Sequence, residues 1–191
     1  MSDIKVLEKV KFDKLEILYL INNQITNINK LEKVNFKQLK ELYLSDNKIS
    51  DIKVLEKVKF DKLEKLYLDN NQISDINILE KVNFKELNEL NLSFNNISDI
   101  KVLEIAKFNK LDILYLSKNQ ISDINILDKV NFKELKKLDL NDNKISDIKV
   151  LEKAKFDKLE KLYLRRNQIS QKENETIINK LKSKLKIGLE I

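Results

Sequence analysis

The sequence predicts an α/β solenoid: a right-handed coil with a parallel β-sheet along one side and short helical segments along the other. Three observations carry this. The frame Leu15-x-x-Leu18-x-Leu20-x-x-Asn23-x-Ile25-x-x-Ile28 opens again, at one constant interval, at Leu39, Leu63, Leu87, Leu111, Leu135 and Leu159. Apolar residues alternate across each Leu-x-Leu step, which is the period of a strand with one buried face. Ile52, Leu55 and Val58 follow at a spacing of three, as on one side of a 3₁₀ or short α turn. Periods of roughly 20–50 residues mark chains whose units stack in a line and bury a continuous core.

Within residues 49–72 each position has a structural task. Leu66-Tyr67-Leu68 forms the strand. Asn71 stands where the chain turns out of it, and its side chain can satisfy turn amides and carbonyls of adjacent repeats. Ser50 or Asp51 precedes the helical segment and can cap its free amides. Phe60 and Leu63 lead back to the next strand. Phe12, Phe36, Phe60, Phe84, Phe108, Phe132 and Phe156 are predicted to form a spine through the core.

A second periodicity is superimposed. Repeats starting at 1, 49, 97 and 145 carry Ile-Lys-Val-Leu, and those at 25, 73 and 121 carry Ile-Asn followed by Lys-Leu or Ile-Leu, so the duplicated unit is a pair of repeats. Residues 49–72 and 145–168 differ only at Val58/Ala154, Asp69/Arg165 and Asn70/Arg166. The repeats span 1–168. From Ile169 the frame is lost, and 169–191 reads as a C-terminal cap: an amphipathic helix over 173–184, with Ile177, Ile178, Leu181 and Leu185 on one side, then a last strand alternating at Leu185, Ile187, Leu189 and Ile191.

This pattern resembles the leucine-rich repeat family over residues 1–168. The Asn-Gln-Ile-Ser-Asp-Ile stretches at 71–76 and 119–124 look like internalin-type bacterial surface repeats, while the Phe-x-x-Leu step and the 24-residue length are closer to the longer typical class. The resemblance implies a curved solenoid whose concave sheet binds protein partners.

Composition removes most catalytic chemistry. The chain has no cysteine, no histidine, no proline and one glycine, Gly188. Thiolate nucleophiles and metal sites, the commonest general base and glycine-rich phosphate loops are thereby excluded. Asp139-x-Asn141-x-Asn143 begins like a calcium loop but has Lys144 and Val150 where that loop needs glycine and glutamate. The expectation is no enzyme, no metal and no cofactor. A net charge of +6 from 37 basic and 31 acidic residues is well mixed along the chain, which argues against nucleic acid. No apolar run is long enough to span a membrane. No signal peptide is visible, so the default compartment is the cytoplasm. Residues 2–6 match 50–54 one for one. The chain thus starts inside a repeat, which reads as a trimmed fragment of a surface or secreted protein or as an open end, with the molecule a monomer or weakly associating through that uncapped end.

Strand residues that do not point inward line the concave face. One column reads Tyr19, Tyr43, Tyr67, Asn91, Tyr115, Asp139, Tyr163, and it holds all five tyrosines of the chain. Phe94 is the one phenylalanine off the spine, and Arg165 and Arg166 are the only arginines. Tyrosine gives large, rigid contact area at low entropic cost. Tyr19, Tyr43, Tyr67, Phe94, Tyr115, Tyr163, Arg165 and Arg166 are therefore the expected partner-binding residues, with the arginines setting a preference for acidic groups. The expected function is non-catalytic protein binding. The alternatives are a structural or spacer segment of a larger surface protein, and a peripheral polyanion binder.

Overall fold

The computed structural model describes residues 4–185 and 188–191. Among the described residues, eight strands of three residues each, β1 (Ile17–Tyr19), β2 (Glu41–Tyr43), β3 (Lys65–Tyr67), β4 (Glu89–Asn91), β5 (Ile113–Tyr115), β6 (Lys137–Asp139), β7 (Lys161–Tyr163) and β8 (Gly188–Glu190), form one parallel sheet in sequence order. Register follows the repeat: Leu42 opposes Leu66, which opposes Leu90. A slip of one residue would turn every leucine to solvent. The ladder continues past the strand ends, with Leu68 N–H donating to Asn91 C=O at 2.8 Å and Asn70 N–H to Ser93 C=O at 3.0 Å.

Opposite the sheet, the described residues form seven short 3₁₀ turns, such as Lys53–Glu56 and Asn77–Glu80. Asp51 caps its turn from one position further out than a standard N-cap: its Oδ1 accepts the Lys53 N–H at 2.9 Å, and Asp75, Asp99, Asp123 and Asp147 do the same. Parallel strands stack about 4.8 Å apart. The bulkier helical side needs more room per repeat, so the coil bends and the exposed sheet face becomes its inner, concave side.

The core is a continuous rod of Leu, Ile, Val and Phe. Phe36, Phe60, Phe84, Phe108, Phe132 and Phe156 are buried in it, but Phe12 is 48 % exposed. The expected seven-residue spine is thus six residues long, because Phe12 has the Phe36 ring on one side only. Val6, Ile17, Tyr19 and Ile21 are exposed at the same end.

The asparagine column holds the exit from each strand. Asn71 Nδ2 donates to the carbonyls of Leu44 at 3.0 Å, Leu68 at 3.1 Å and Asp69 at 3.2 Å, and its Oδ1 accepts the Ile49 N–H at 2.9 Å. One side chain therefore serves two neighbouring coils and satisfies buried backbone groups that no water reaches. Asn47, Asn95, Asn119 and Asn143 repeat this set.

After the last repeat an α-helix, α1 (Glu175–Lys184), buries Ile177, Ile178 and Leu181. It starts two residues later than its sequence pattern predicts, after a turn in which Asn174 Nδ2 donates to the Ser170 carbonyl at 2.9 Å. α1 packs on the last 3₁₀ turn and on β8. Leu185 is buried and Leu189 and Ile191 lean on the core, while Ile187 lies outside the described residues.

Ion pairs run from repeat to repeat. Lys40 meets Glu16 at 2.9 Å, Lys65 meets Glu41 at 3.0 Å, Lys136 meets Asp112 at 3.0 Å, and Lys110 and Lys158 meet Glu86 and Glu134. Partners stand one full repeat apart in the chain. The alternation of two repeat types makes this possible: a strict copy of one repeat would stack each lysine on another lysine.

Candidate functional site

The exposed sheet face carries the tyrosine column. Strand alternation turns the central leucines inward and leaves Tyr19, Tyr43 and Tyr67 in register on the other side. Their rings stack, with centroids 4.7 Å apart in both steps and interplanar angles of 17° and 22°. Tyr43 Oη donates to Glu41 Oε2 at 2.7 Å, and Glu41 also meets Lys65. This hydroxyl and then the Lys65 ammonium hold the Glu41 carboxyl below its ordinary range. Burial and then Glu41 push the Tyr43 phenol above its ordinary range, and burial and then Glu89 do the same to Tyr67. Both phenols therefore remain neutral donors, and the Tyr43 hydroxyl is already aimed at Glu41, which lowers the ordering cost of a contact it makes.

At the other end the column is interrupted by Asp139, so Tyr115 and Tyr163 stand two strands apart. Lys137 fills the gap: its Nζ lies 4.6 Å from the Tyr115 ring centre and 5.2 Å from that of Tyr163, and it donates to Tyr115 Oη at 3.3 Å. Burial raises the Asp139 carboxyl above its ordinary range, against an opposing hydrogen bond from the Asn141 N–H.

Beyond each of β1–β7 the chain turns through one residue in the left-handed region: Asn22, Asp46, Asn70, Phe94, Lys118, Asp142 and Arg166, with φ between 52° and 57°. Asparagine and aspartate tolerate that region; Phe, Lys and Arg are strained in it. The expected exposure of Phe94 is observed, at 47 %. Lys118 Nζ lies 4.2 Å above its ring. Both expected arginines are engaged within the chain: Arg165 Nε lies 3.2 Å from Glu190 Oε2, and Arg166 holds Asp142 through two hydrogen bonds. Arg166 keeps the Asp142 carboxyl below its ordinary range.

All eight predicted contact residues thus line one face of the coil or its rim, in an aromatic group at β1–β3 and a mixed aromatic and basic group at β4–β7. Reading the sequence missed Lys118 and Lys137, whose ammonium groups lie over rings. The available signal was spacing: Lys137 precedes by two residues the position that holds tyrosine in five repeats, and Lys118 follows Phe94 by one period.

With this geometry the family assignment is direct. Models described as leucine rich repeats match residues 37–81 and 133–183, with a further leucine rich repeat match over 61–121. The chain belongs to the leucine-rich repeat family. Its fold is similar to that of an internalin (inlF) of Listeria monocytogenes, with a TM-score of 0.67 and 26 % identity over 93 % of this chain and 55 % of the internalin. It is similar to a leucine-rich repeat protein of Leptospira interrogans, with a TM-score of 0.68 and 25 % identity over 98 % of this chain and 52 % of the other. A second Listeria monocytogenes internalin, inlC2, aligns with a TM-score of 0.58 and 27 % identity over 88 % of this chain and 75 % of that one. The chain thus spans about half the length of inlF and of the Leptospira protein. No curated protein matches it by sequence.

Proposed function

We propose that this chain is a non-catalytic binding module that takes a protein partner on the concave face of its sheet. Leucine-rich repeat domains are commonly protein–protein interaction modules. The observation that carries the reading is the Tyr19–Tyr43–Tyr67 stack, a rigid aromatic strip in which the Tyr43 phenol is already held by Glu41. Rigid aromatic groups on a sheet that does not rearrange lose little entropy on binding. Tyr115, Tyr163 and Phe94 extend the aromatic surface, while Arg165 and Arg166 can reach a partner from its rim. Segment 169–191 serves as the cap that covers the end of the core.

The test is affinity capture with the wild type and with the triple variant Tyr67→Ala/Phe94→Ser/Tyr115→Ala, both shown folded by circular dichroism, followed by hydrogen exchange on the captured complex. Capture lost in the variant, with protection at β2–β5, is the expected result. Equal capture by both, or protection confined to the 3₁₀ side, overturns the proposal in favour of a spacer segment or a partner on the convex surface.

A further inference from the structure

Charge pairing along the solenoid points to the chemistry of a partner for the concave face. Five lysines on the sheet and its flanking loops find carboxylates one repeat away: Lys40, Lys65, Lys110, Lys136 and Lys158. The strand lysines of β6 and β7 have no such partner among the described residues. Lys137 and Lys161 are in register on adjacent parallel strands, so like charges stand side by side, an arrangement that destabilises a sheet. Lys118 projects from the turn after β5. Among the described residues none of these three forms an ion pair with a carboxylate. Asp139 feels Lys137 and Asp142 feels Lys118 at longer range, but Asp139 accepts the Asn141 N–H and Asp142 is held by Arg166.

Two of the three ammonium groups are instead held by aromatic rings, Lys137 between Tyr115 and Tyr163 and Lys118 above Phe94. An ammonium has three N–H donors, and Lys137 spends one on Tyr115 Oη. Its other donors remain available in a side chain already positioned. Phe94 and Lys118 also occupy left-handed turn positions, φ 55° and 52°, that Asn22, Asp46 and Asn70 fill without comparable strain. Strain retained at adjacent positions that touch each other is a mark of a functional site.

The opposite end of the face has the opposite sign. Glu41, Asp46, Asp69 and Glu89 lie on or just beyond β2–β4, where Lys65 is the accompanying cation and is paired with Glu41. The face is therefore bipolar along the solenoid axis. A polynucleotide or other long polyanion laid on the lysines would meet these carboxylates within a few strands. The basic end spans about 10 Å across β5–β7 at about 4.8 Å per strand, which is the reach of about three extended residues.

Resting on the concave-face reading, we propose that the partner presents a short acidic segment of polypeptide to Lys118, Lys137 and Lys161, with an apolar or aromatic side chain beside it against Phe94, Tyr115 and Tyr163. Carboxylates supply what the unpaired lysines lack, and the neighbouring rings accept side chains that a phosphate backbone does not offer. A basic residue of the same segment falls on Glu89, about 10 Å along the sheet from Lys137, or on Glu41, about 20 Å along and roughly six extended residues away.

The experiment uses the whole chain and the synthetic peptide Glu-Asp-Glu-Phe-Ser-Tyr-Ser-Lys-Arg, with Gln-Asn-Gln-Phe-Ser-Tyr-Ser-Lys-Arg as its neutral-ended control, titrated by NMR with the Tyr, Phe and Lys signals resolved. The acidic peptide is expected to shift Phe94, Tyr115 and Tyr163. The control, or the double variant Lys137→Gln/Lys161→Gln, is expected to weaken binding about tenfold, as loss of two partly exposed charge pairs predicts. Equal binding of both peptides overturns the proposal, as does a heparin oligosaccharide that binds more tightly and displaces the acidic peptide. The same lysine variant is then used in the capture experiment. A partner that is lost with Tyr67→Ala/Phe94→Ser/Tyr115→Ala but kept with Lys137→Gln/Lys161→Gln leaves the concave face standing and defeats the acidic segment; a partner kept with both defeats the face itself.

Discussion

Replacing Asn71 by alanine removes one side chain and strands backbone on two coils. The Ile49 N–H loses its acceptor, and the Leu44 and Leu68 carbonyls lose the Nδ2 donor. Asn71 is 8 % exposed, so water does not take its place without opening the turn. Each buried group left unpaired costs about 1–3 kcal/mol. Carbonyls with a second lone pair still bonded sit at the low end, so the sum is about 3–5 kcal/mol. Asn71→Asp is expected to be at least as costly at neutral pH, because a carboxylate would face the three carbonyls that the amide now donates to. Asn83, exposed on a return loop, is the control, and its alanine variant is expected within about 0.5 kcal/mol of wild type. Urea unfolding followed by circular dichroism gives the differences, and hydrogen exchange at Ile49 N–H reports the local loss. If Asn71→Ala and Asn83→Ala unfold within about 0.5 kcal/mol of each other, the asparagine column does not hold the coil together.

Three further outcomes follow from the same geometry. Phe108→Ala is expected to cost about 3–5 kcal/mol, and Phe12→Ala less than half of that because Phe12 is 48 % exposed; paired urea curves measure both. At position 94, Asn is expected to be more stable than Ala by about 1 kcal/mol, since both lose the ring but only Ala keeps the left-handed strain, and thermal unfolding of the two variants decides it. Burial raises the Asp69 carboxyl in the folded chain. Its protonated form is therefore favoured by folding, and the stability this contributes is present below the unfolded value of about 3.9 and lost as pH rises through the higher folded value. Asp69→Asn, which still offers Ser45 Oγ an acceptor, is expected to stabilise the protein at pH 7 and to lose that advantage below about pH 3.9; stability measured at both pH values tests the sign.

Much of the site was legible because strand alternation and a 24-residue period place a side chain in two dimensions before any coordinate is known. That is why Tyr19, Tyr43 and Tyr67 could be assigned to one exposed column, and why Phe94 could be set off the spine. The spine itself was read one residue too long: burial of Phe12 depends on a neighbour on each side, and periodicity says nothing about ends.

What the sequence by itself determined is the architecture. The leucines, the asparagines and the spine phenylalanines recur at an interval that only a stacked coil can bury, and the order of residues alone is enough to establish it. Which charges are spent and which remain was decided by the tertiary structure. Arg165 and Arg166 are expected from the sequence to set a preference for acidic groups of a partner, and in the structure Glu190 and Asp142 of the chain itself engage them. Nothing in the sequence singles out Lys118 and Lys137 by charge, and only the structure shows their ammonium groups resting over rings. Ion pairing and cation–π contact are set over a few ångströms by side-chain direction and by the left-handed turn after each strand. Residue spacing fixes the column a side chain occupies, but not where its charged end comes to rest.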